Sequence, residues 1–215
     1  KMLKELLQKY KCDKSSKHSY ELCYEKHFLP VKNEPINILE IGIFKGESMK
    51  VWLEYFPNAT VYGIDIFQRI KENELPILKN PRVKYLKLDS ISEQAKQIIT
   101  ENWGDIKFDF IIDDGLHTPV ANRLTFLNFI NFLKNDGVFF IEDVYPIDKM
   151  EKPHPWFKQS GRIEQYTLKQ YQKFIETLQP FNVTHIDNRK ITKQPDSYII
   201  EIQKKCNSNN LKTNI

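Results

Sequence analysis

The chain has 215 residues, 40% hydrophobic and 13% aromatic, with 32 basic against 28 acidic side chains and a net charge of +4. That content supplies one well-filled core near the upper size of a single domain and excludes disordered and fibrous classes. The near balance of charge, with five arginines (Arg69, Arg82, Arg123, Arg162, Arg189) and scattered lysines, argues against a basic face for nucleic acid.

The opening "KMLKELLQKY" is charged and amphipathic, with Leu3, Leu6 and Leu7 on one helical face, and does not read as a signal peptide. No stretch approaches the ~18 apolar residues of a membrane-spanning helix, so a cytoplasmic protein without membrane insertion is expected. Cys12, Cys23 and Cys206 include no CxxC pair, which indicates neither a disulfide framework nor a thiolate metal site.

Strand and helix patterns then alternate. Ile36–Ile43 is an apolar strand and Glu47–Phe56 a helix; Thr60–Ile66 and Arg82–Asp89 are further strands. "SEQAKQIITENW" reads as a helix, and Phe108 to Asp113 as a buried strand. Asp114-Gly115 is a turn signal, and Thr118-Pro119 starts the helix Pro119–Lys134 as N-cap and first position. Gly137–Val144 is another buried strand. A long loop from Tyr145 to Gln165 carries three prolines, His154 and Trp156, and a loop of that length is more often functional than idle. "TLKQYQKFIETL" is a helix, and "FNVTHID" and "SYIIEIQ" are strands with no helical pattern between them, hence a hairpin with one antiparallel strand. The expectation is an α/β fold with a doubly wound, mostly parallel sheet of seven strands. Residues 1–35 form a helical prefix, 36–203 the main domain, and 204–215 a disordered tail.

In such a sheet ligands bind outside the carboxyl ends of the strands. The first strand ends in Glu40-Ile41-Gly42-Ile43-Phe44-Lys45-Gly46, the second in Asp65, the third in Asp89-Ser90. A carboxylate after the second strand suits the two hydroxyls of a ribose. Phe44, where a dinucleotide fingerprint would have its middle glycine, favours a nucleoside without phosphates. Asp113 and Asp114 end the fourth strand and Glu142-Asp143 the fifth. Asp114, Glu142 and Asp143 on neighbouring strands repel unless a cation lies between them, and all-oxygen ligands suit Mg²⁺, Mn²⁺ or Ca²⁺. His117 faces the same site as a candidate general base.

Glu40-x-Gly42-x-x-x-Gly46 with Asp65 and Asp89 resembles class I S-adenosylmethionine (SAM)-dependent methyltransferases over roughly Ile36 to Gln203. The resemblance implies a Rossmann-like fold in which Gly42 lets the backbone approach SAM, Asp65 holds the ribose and Asp89 the adenine amino group. Glu40, Gly46, Ser90 and Asp113 are grouped with them as cofactor-binding positions. "IIDDGLH" and "IED", with upstream Asp13, Lys14, His18, Tyr20, Tyr24, Glu25 and Phe28, resemble the metal-dependent sugar O-methyltransferases of the macrolide-glycoside and polysaccharide type. That likeness implies Mg²⁺ (or Mn²⁺) on Asp114, Glu142 and Asp143, His117 as the base, and an N-terminal segment folded over SAM and the acceptor with Lys14 and Tyr20 on the cofactor. The family's glycine before the aspartate-lysine pair is Cys12 here. Tyr145, His154 and Trp156 are expected on the acceptor side, where aromatic faces stack on sugar rings.

The expected activity is methyl transfer from SAM to a hydroxyl of a sugar, nucleotide-linked or part of a surface-glycan precursor. A catechol-type enzyme shares the metal logic. A nucleic-acid methyltransferase lacks support, since no [ND]-P-P-[YFW] motif is present, and a non-catalytic SAM-binding protein has no need of Asp114, His117, Glu142 and Asp143 together. The expected partner is a small-molecule sugar acceptor, and homo-oligomerisation is left open by the sequence.

Overall fold

A computed structural model describes residues 2–205. The expected tail begins at 204 and lies, from Cys206 onward, outside the described residues. Seven strands form one sheet: β1 (Asn37–Ile41), β2 (Thr60–Asp65), β3 (Val83–Lys87), β4 (Phe108–Asp113), β5 (Leu133–Ile141), β6 (Asn182–Asp187) and β7 (Tyr198–Gln203). Their spatial order is β3-β2-β1-β4-β5-β7-β6. The first five run parallel, and β7 pairs antiparallel with both β5 and β6. The doubly wound sheet with its antiparallel strand is as expected. The strand order reverses between β1 and β4, which opens a crevice at their carboxyl ends.

Period-2 alternation sends successive side chains to two cores. Ile38, Phe110, Ile112, Val138 and Phe140 face the cluster with helices α1 (Leu3–Lys9), α3 (Glu21–Phe28) and α4 (Glu47–Tyr55). Leu39, Ile111, Phe139 and Ile141 face α5 (Ala95–Trp103), α6 (Pro119–Phe129) and, counted after the two short helices below, α8 (Leu168–Leu178). The helical prefix therefore shares the sheet's own core. Phe28, fully buried, packs 4.6 Å from Phe110, 5.0 Å from Phe56 and 5.5 Å from Trp52, ring centroid to centroid. Short α2 (Asp13–Ser16) joins α1 to α3 and is carried over the carboxyl ends of the strands.

Three local expectations shift. β5 starts at Leu133 rather than Gly137, because a register shift between Phe108 and Phe110 lets Leu133 pair with Phe108. α6 accordingly stops at Phe129 and tightens into a 3-10 turn before the strand. The loop after β5 holds a one-turn helix, α7 (Pro155–Gln159), and the β6–β7 connection holds another, α9 (Arg189–Thr192). Both are shorter than a hydrophobic period can reveal. Among the described residues no helix is long and apolar enough to cross a membrane.

Candidate active site

The turn after β4 is built as its residue types require. Thr118 Oγ1 accepts the Ala121 amide at 3.0 Å and Pro119 occupies the first position of α6. Asp113, buried, spends its carboxylate inside this turn: Oδ1 accepts from the Gly115 amide and Oδ2 from Asn122 Nδ2, both at 3.2 Å. Burial pushes its pKa up to about 6.

Just beyond the strands, four non-glycine residues adopt left-handed backbone: Phe44 after β1, Phe67 after β2, His117 after β4 and Asp143 after β5. Such conformations concentrate where surrounding structure over-determines the backbone. His117 and Asp143 are two of the residues singled out from sequence. His117 Nε2 lies 3.4 Å from Asp114 Oδ1 and 4.0 Å from Asp143 Oδ2. One ligand atom from each of Asp114, His117 and Asp143 lies within 4.8 Å of the other two. The two carboxylate oxygens suit a hard cation such as Mg²⁺ or Mn²⁺, with the imidazole nitrogen beside them.

Glu142 is placed differently from Asp114 and Asp143. Its Oε1 accepts a very short hydrogen bond from Tyr24 and its Oε2 takes the Lys14 ammonium at 2.5 Å, so both oxygens are engaged. Lys14, its side chain 2% exposed, also reaches Asp114 Oδ2 at 2.6 Å and Glu40 Oε1 at 3.4 Å. It thus bridges the ends of β1, β4 and β5. Burial works against its charge, but Asp114, Glu142 and Glu40 outweigh that and hold its pKa well above the ordinary lysine value.

The carboxylates divide in the same way. Burial raises Glu142, and it raises Asp143 to about 7. Asp114 is held below the usual carboxylate range because Lys14 and His117 overcome its burial. Burial would also lower His117, yet Asp143 and Asp114 raise it above imidazole's ordinary value. Asp143 and Asp114 therefore favour the protonated form of His117. A divalent cation neutralising those carboxylates removes the cause.

Of the other predicted cofactor positions, Glu40, Asp65, Asp89 and Ser90 lie along the ends of β1, β2 and β3. Glu40 is fully buried and accepts from Ser48 Oγ at 2.6 Å and Trp52 Nε1 at 3.2 Å. Asp65 Oδ2 accepts the amides of Ile43 at 2.8 Å and Phe44 at 3.1 Å, and Oδ1 that of Phe67 at 2.7 Å, which ties the first glycine turn to the second strand. Asp89 Oδ1 accepts the Ile91 amide at 3.2 Å, and Ser90 Oγ meets Thr125 Oγ1 at 2.9 Å. Each carboxylate retains lone pairs beyond these contacts. Lys14 and Tyr20, expected on the cofactor, meet the carboxylates of Asp114, Glu142 and Asp143.

The glycines answer to the protein first. At Gly42 (φ +95°) an added Cβ would stand 2.1 Å from the Asp114 carbonyl oxygen, and at Gly46 2.8 Å from Ile77 Cγ2. The backbone that Gly42 admits closely is the end of β4. Gly42→Ala is expected to cost about 1–3 kcal/mol from backbone strain alone, and more with the clash at Asp114; urea unfolding of the variant checks this.

In the loop after β5, Tyr145 is buried, edge-on to Phe157 at 5.0 Å between ring centroids. His154 caps α7 by accepting the Trp156 amide, and its ring is 5.6 Å from that of Tyr145. Trp156 is 43% exposed. Sequence reasoning gave no role to Asp196, whose carbonyl and carboxylate come into the cluster from the β6–β7 hairpin. Nothing local marks it. Tyr24 was visible only as a motif position.

No protein-family model matches the chain. Among curated proteins it is 28% identical over 135 residues to mycinamicin VI 2''-O-methyltransferase of Micromonospora griseorubida, a match spanning 60% of this chain and 32% of that protein. It is 31% identical over 151 residues to L-olivosyl-oleandolide 3-O-methyltransferase of Streptomyces antibioticus, 66% of this chain and 37% of that protein. The chain spans about a third of the length of these relatives. Among solved structures, the MycE methyltransferase of the mycinamycin biosynthetic pathway, in complex with Mg and SAH, superposes with a TM-score of 0.71 at 21% identity, over 98% of this chain and 56% of that one. The SAH-bound methyltransferase PaMTH1 of Podospora anserina superposes with a TM-score of 0.59 at 16% identity, over 95% and 88%. The chain has the class I methyltransferase fold.

Proposed function

We propose that this chain carries the catalytic site of a SAM-dependent, divalent-metal-dependent O-methyltransferase acting on a sugar hydroxyl of a small-molecule acceptor, nucleotide-linked or a glycan precursor. The observation that carries the reading is the convergence of Asp114, His117 and Asp143 at the crevice end of the sheet. Its support is the likeness to enzymes named for methylating sugar hydroxyls.

When bound, SAM supplies a methyl group on a sulfonium centre, and a divalent cation supplies the positive charge that makes a sugar hydroxyl acidic enough to lose its proton. Asp114 and Asp143 offer the cation Oδ1 and Oδ2, the oxygens nearest His117. Glu142 would join them only on release of its Oε2 from Lys14. Asp65 and Asp89 present carboxylates to the nucleoside at the ends of β2 and β3, and Tyr145, His154 and Trp156 border the acceptor. His117 Nε2 accepts the hydroxyl proton. The chemistry SAM would supply is transfer of its methyl group to the deprotonated oxygen, with the carbon–sulfur bond breaking to leave S-adenosylhomocysteine (SAH) and a methyl ether.

The test is methyl transfer by the purified chain over a panel of nucleotide sugars and glycosides with Mg²⁺ or Mn²⁺. Turnover should vanish on chelation with EDTA and return with either metal. Full activity in exhaustively chelated protein overturns the metal requirement, and preference for a phenolic diol replaces the sugar with a catechol-type acceptor.

A further inference from the structure

Tyr20 sits on the carboxylate cluster in a way that the cofactor role implied by its motif does not account for. Its side chain is fully buried. The hydroxyl hydrogen is shared between Asp143 Oδ1 at 3.0 Å and the Asp196 carbonyl at 3.1 Å, and the hydroxyl oxygen faces the Asp143 amide at 3.3 Å. One phenol thus holds both the main chain and the side chain of a residue in left-handed backbone (φ +52°). With Oδ1 engaged, Oδ2 is the oxygen left on the His117 side.

The phenol is itself braced. Its ring stacks on His18 at 5.3 Å with an interplanar angle of 15°, and His18 Nδ1 meets Ser197 Oγ at 2.9 Å. Asn188 Nδ2 donates to the carbonyls of His18 at 3.1 Å and Ser19 at 2.9 Å. Asn188, Asp196 and Ser197 all belong to the β6–β7 connection, outside the sheet positions where ligands gather.

We propose that Tyr20 is a positioning residue for Asp143, held by the β6–β7 hairpin, and that it sets the affinity of the site for a divalent cation by fixing which carboxylate oxygen turns toward Asp114 and His117. This deepens the metal-dependent reading above and rests on it. Partners one step behind a metal ligand typically set its affinity by roughly 10–100-fold.

The experiment measures Mn²⁺ binding to the full chain by electron paramagnetic resonance or calorimetry, and SAH binding at saturating Mn²⁺. Tyr20→Phe keeps the ring and its stack on His18 and removes only the hydroxyl. Mn²⁺ should bind it roughly 10–100-fold more weakly while SAH affinity at saturating Mn²⁺ stays at the wild-type value. A folded Tyr20→Phe protein with unchanged Mn²⁺ affinity, or one that loses SAH instead, overturns the assignment. Should Tyr20→Phe fail to fold, Asn188→Ala, half-buried and bonded through its side-chain amide to the carbonyls of His18 and Ser19, decides: weaker Mn²⁺ binding supports the brace and unchanged binding overturns it. A wild-type chain that binds no Mn²⁺ overturns the metal reading itself and this inference with it, an outcome distinct from tight wild-type binding that both variants match.

Discussion

Lys14→Met is expected to destabilise the metal-free chain by about 3–5 kcal/mol, the usual consequence of stripping one partner from a buried ion pair. Methionine matches the length of the lysine stem and keeps the packing, so the loss reports charge. The ammonium lies within 3.4 Å of oxygens from Asp114, Glu142 and Glu40 and has almost no access to solvent. Without it the cluster must take up protons or repel itself apart. Added Mn²⁺ should recover part of the loss, since a bound cation stabilises the folded state and neutralises the same carboxylates. Urea unfolding with and without Mn²⁺ measures both quantities. A loss under about 1 kcal/mol would mean that the carboxylates share protons among themselves and need no internal cation.

The same lysine shows where sequence reading stops. β1, β4 and β5 were legible because they are buried on both faces and read as near-continuous apolar runs, "INILEIGI", "FDFIID" and "GVFFIEDV". Parallel order then placed Asp114 and Asp143 at neighbouring strand ends with no further information. Thr118-Pro119 announced its helix through capping chemistry alone. By contrast, Lys14 reaches across 100 residues to Asp114 and 128 to Glu142, and Tyr20 reaches Asp196 across 176. Contacts of that range leave no period and no local residue preference. Gly42 carried a real signal whose partner was hidden: its positive φ and missing Cβ serve the Asp114 carbonyl. Glu142 was read with Asp143 because the two are adjacent, yet both lie past the end of β5, where Asp143 takes left-handed backbone, and Glu142 goes to Lys14 and Tyr24.

His117→Ala is expected to lower kcat by ~10²–10⁴, the range for loss of a general base, with SAH binding retained. Two chemistries are open to the imidazole in its observed place, and this variant separates them. Its Nε2 lies within 4.0 Å of one oxygen from each of Asp114 and Asp143, close enough to serve as a third ligand. Its Nδ1 is buried and has no hydrogen-bond partner among the described residues, so none of them fixes the tautomer as a second carboxylate or carbonyl does for metal-bound histidines. A ligand without such a brace is poorly held, whereas a base needs only to give up the proton that Asp143 and Asp114 now favour. The base reading therefore predicts that Mn²⁺ affinity survives in His117→Ala while kcat collapses. A ligand would lose Mn²⁺ affinity and turnover together, with kcat partly restored at saturating Mn²⁺. Near-normal kcat in the variant would remove His117 from the chemistry altogether and leave proton acceptance to bulk solvent.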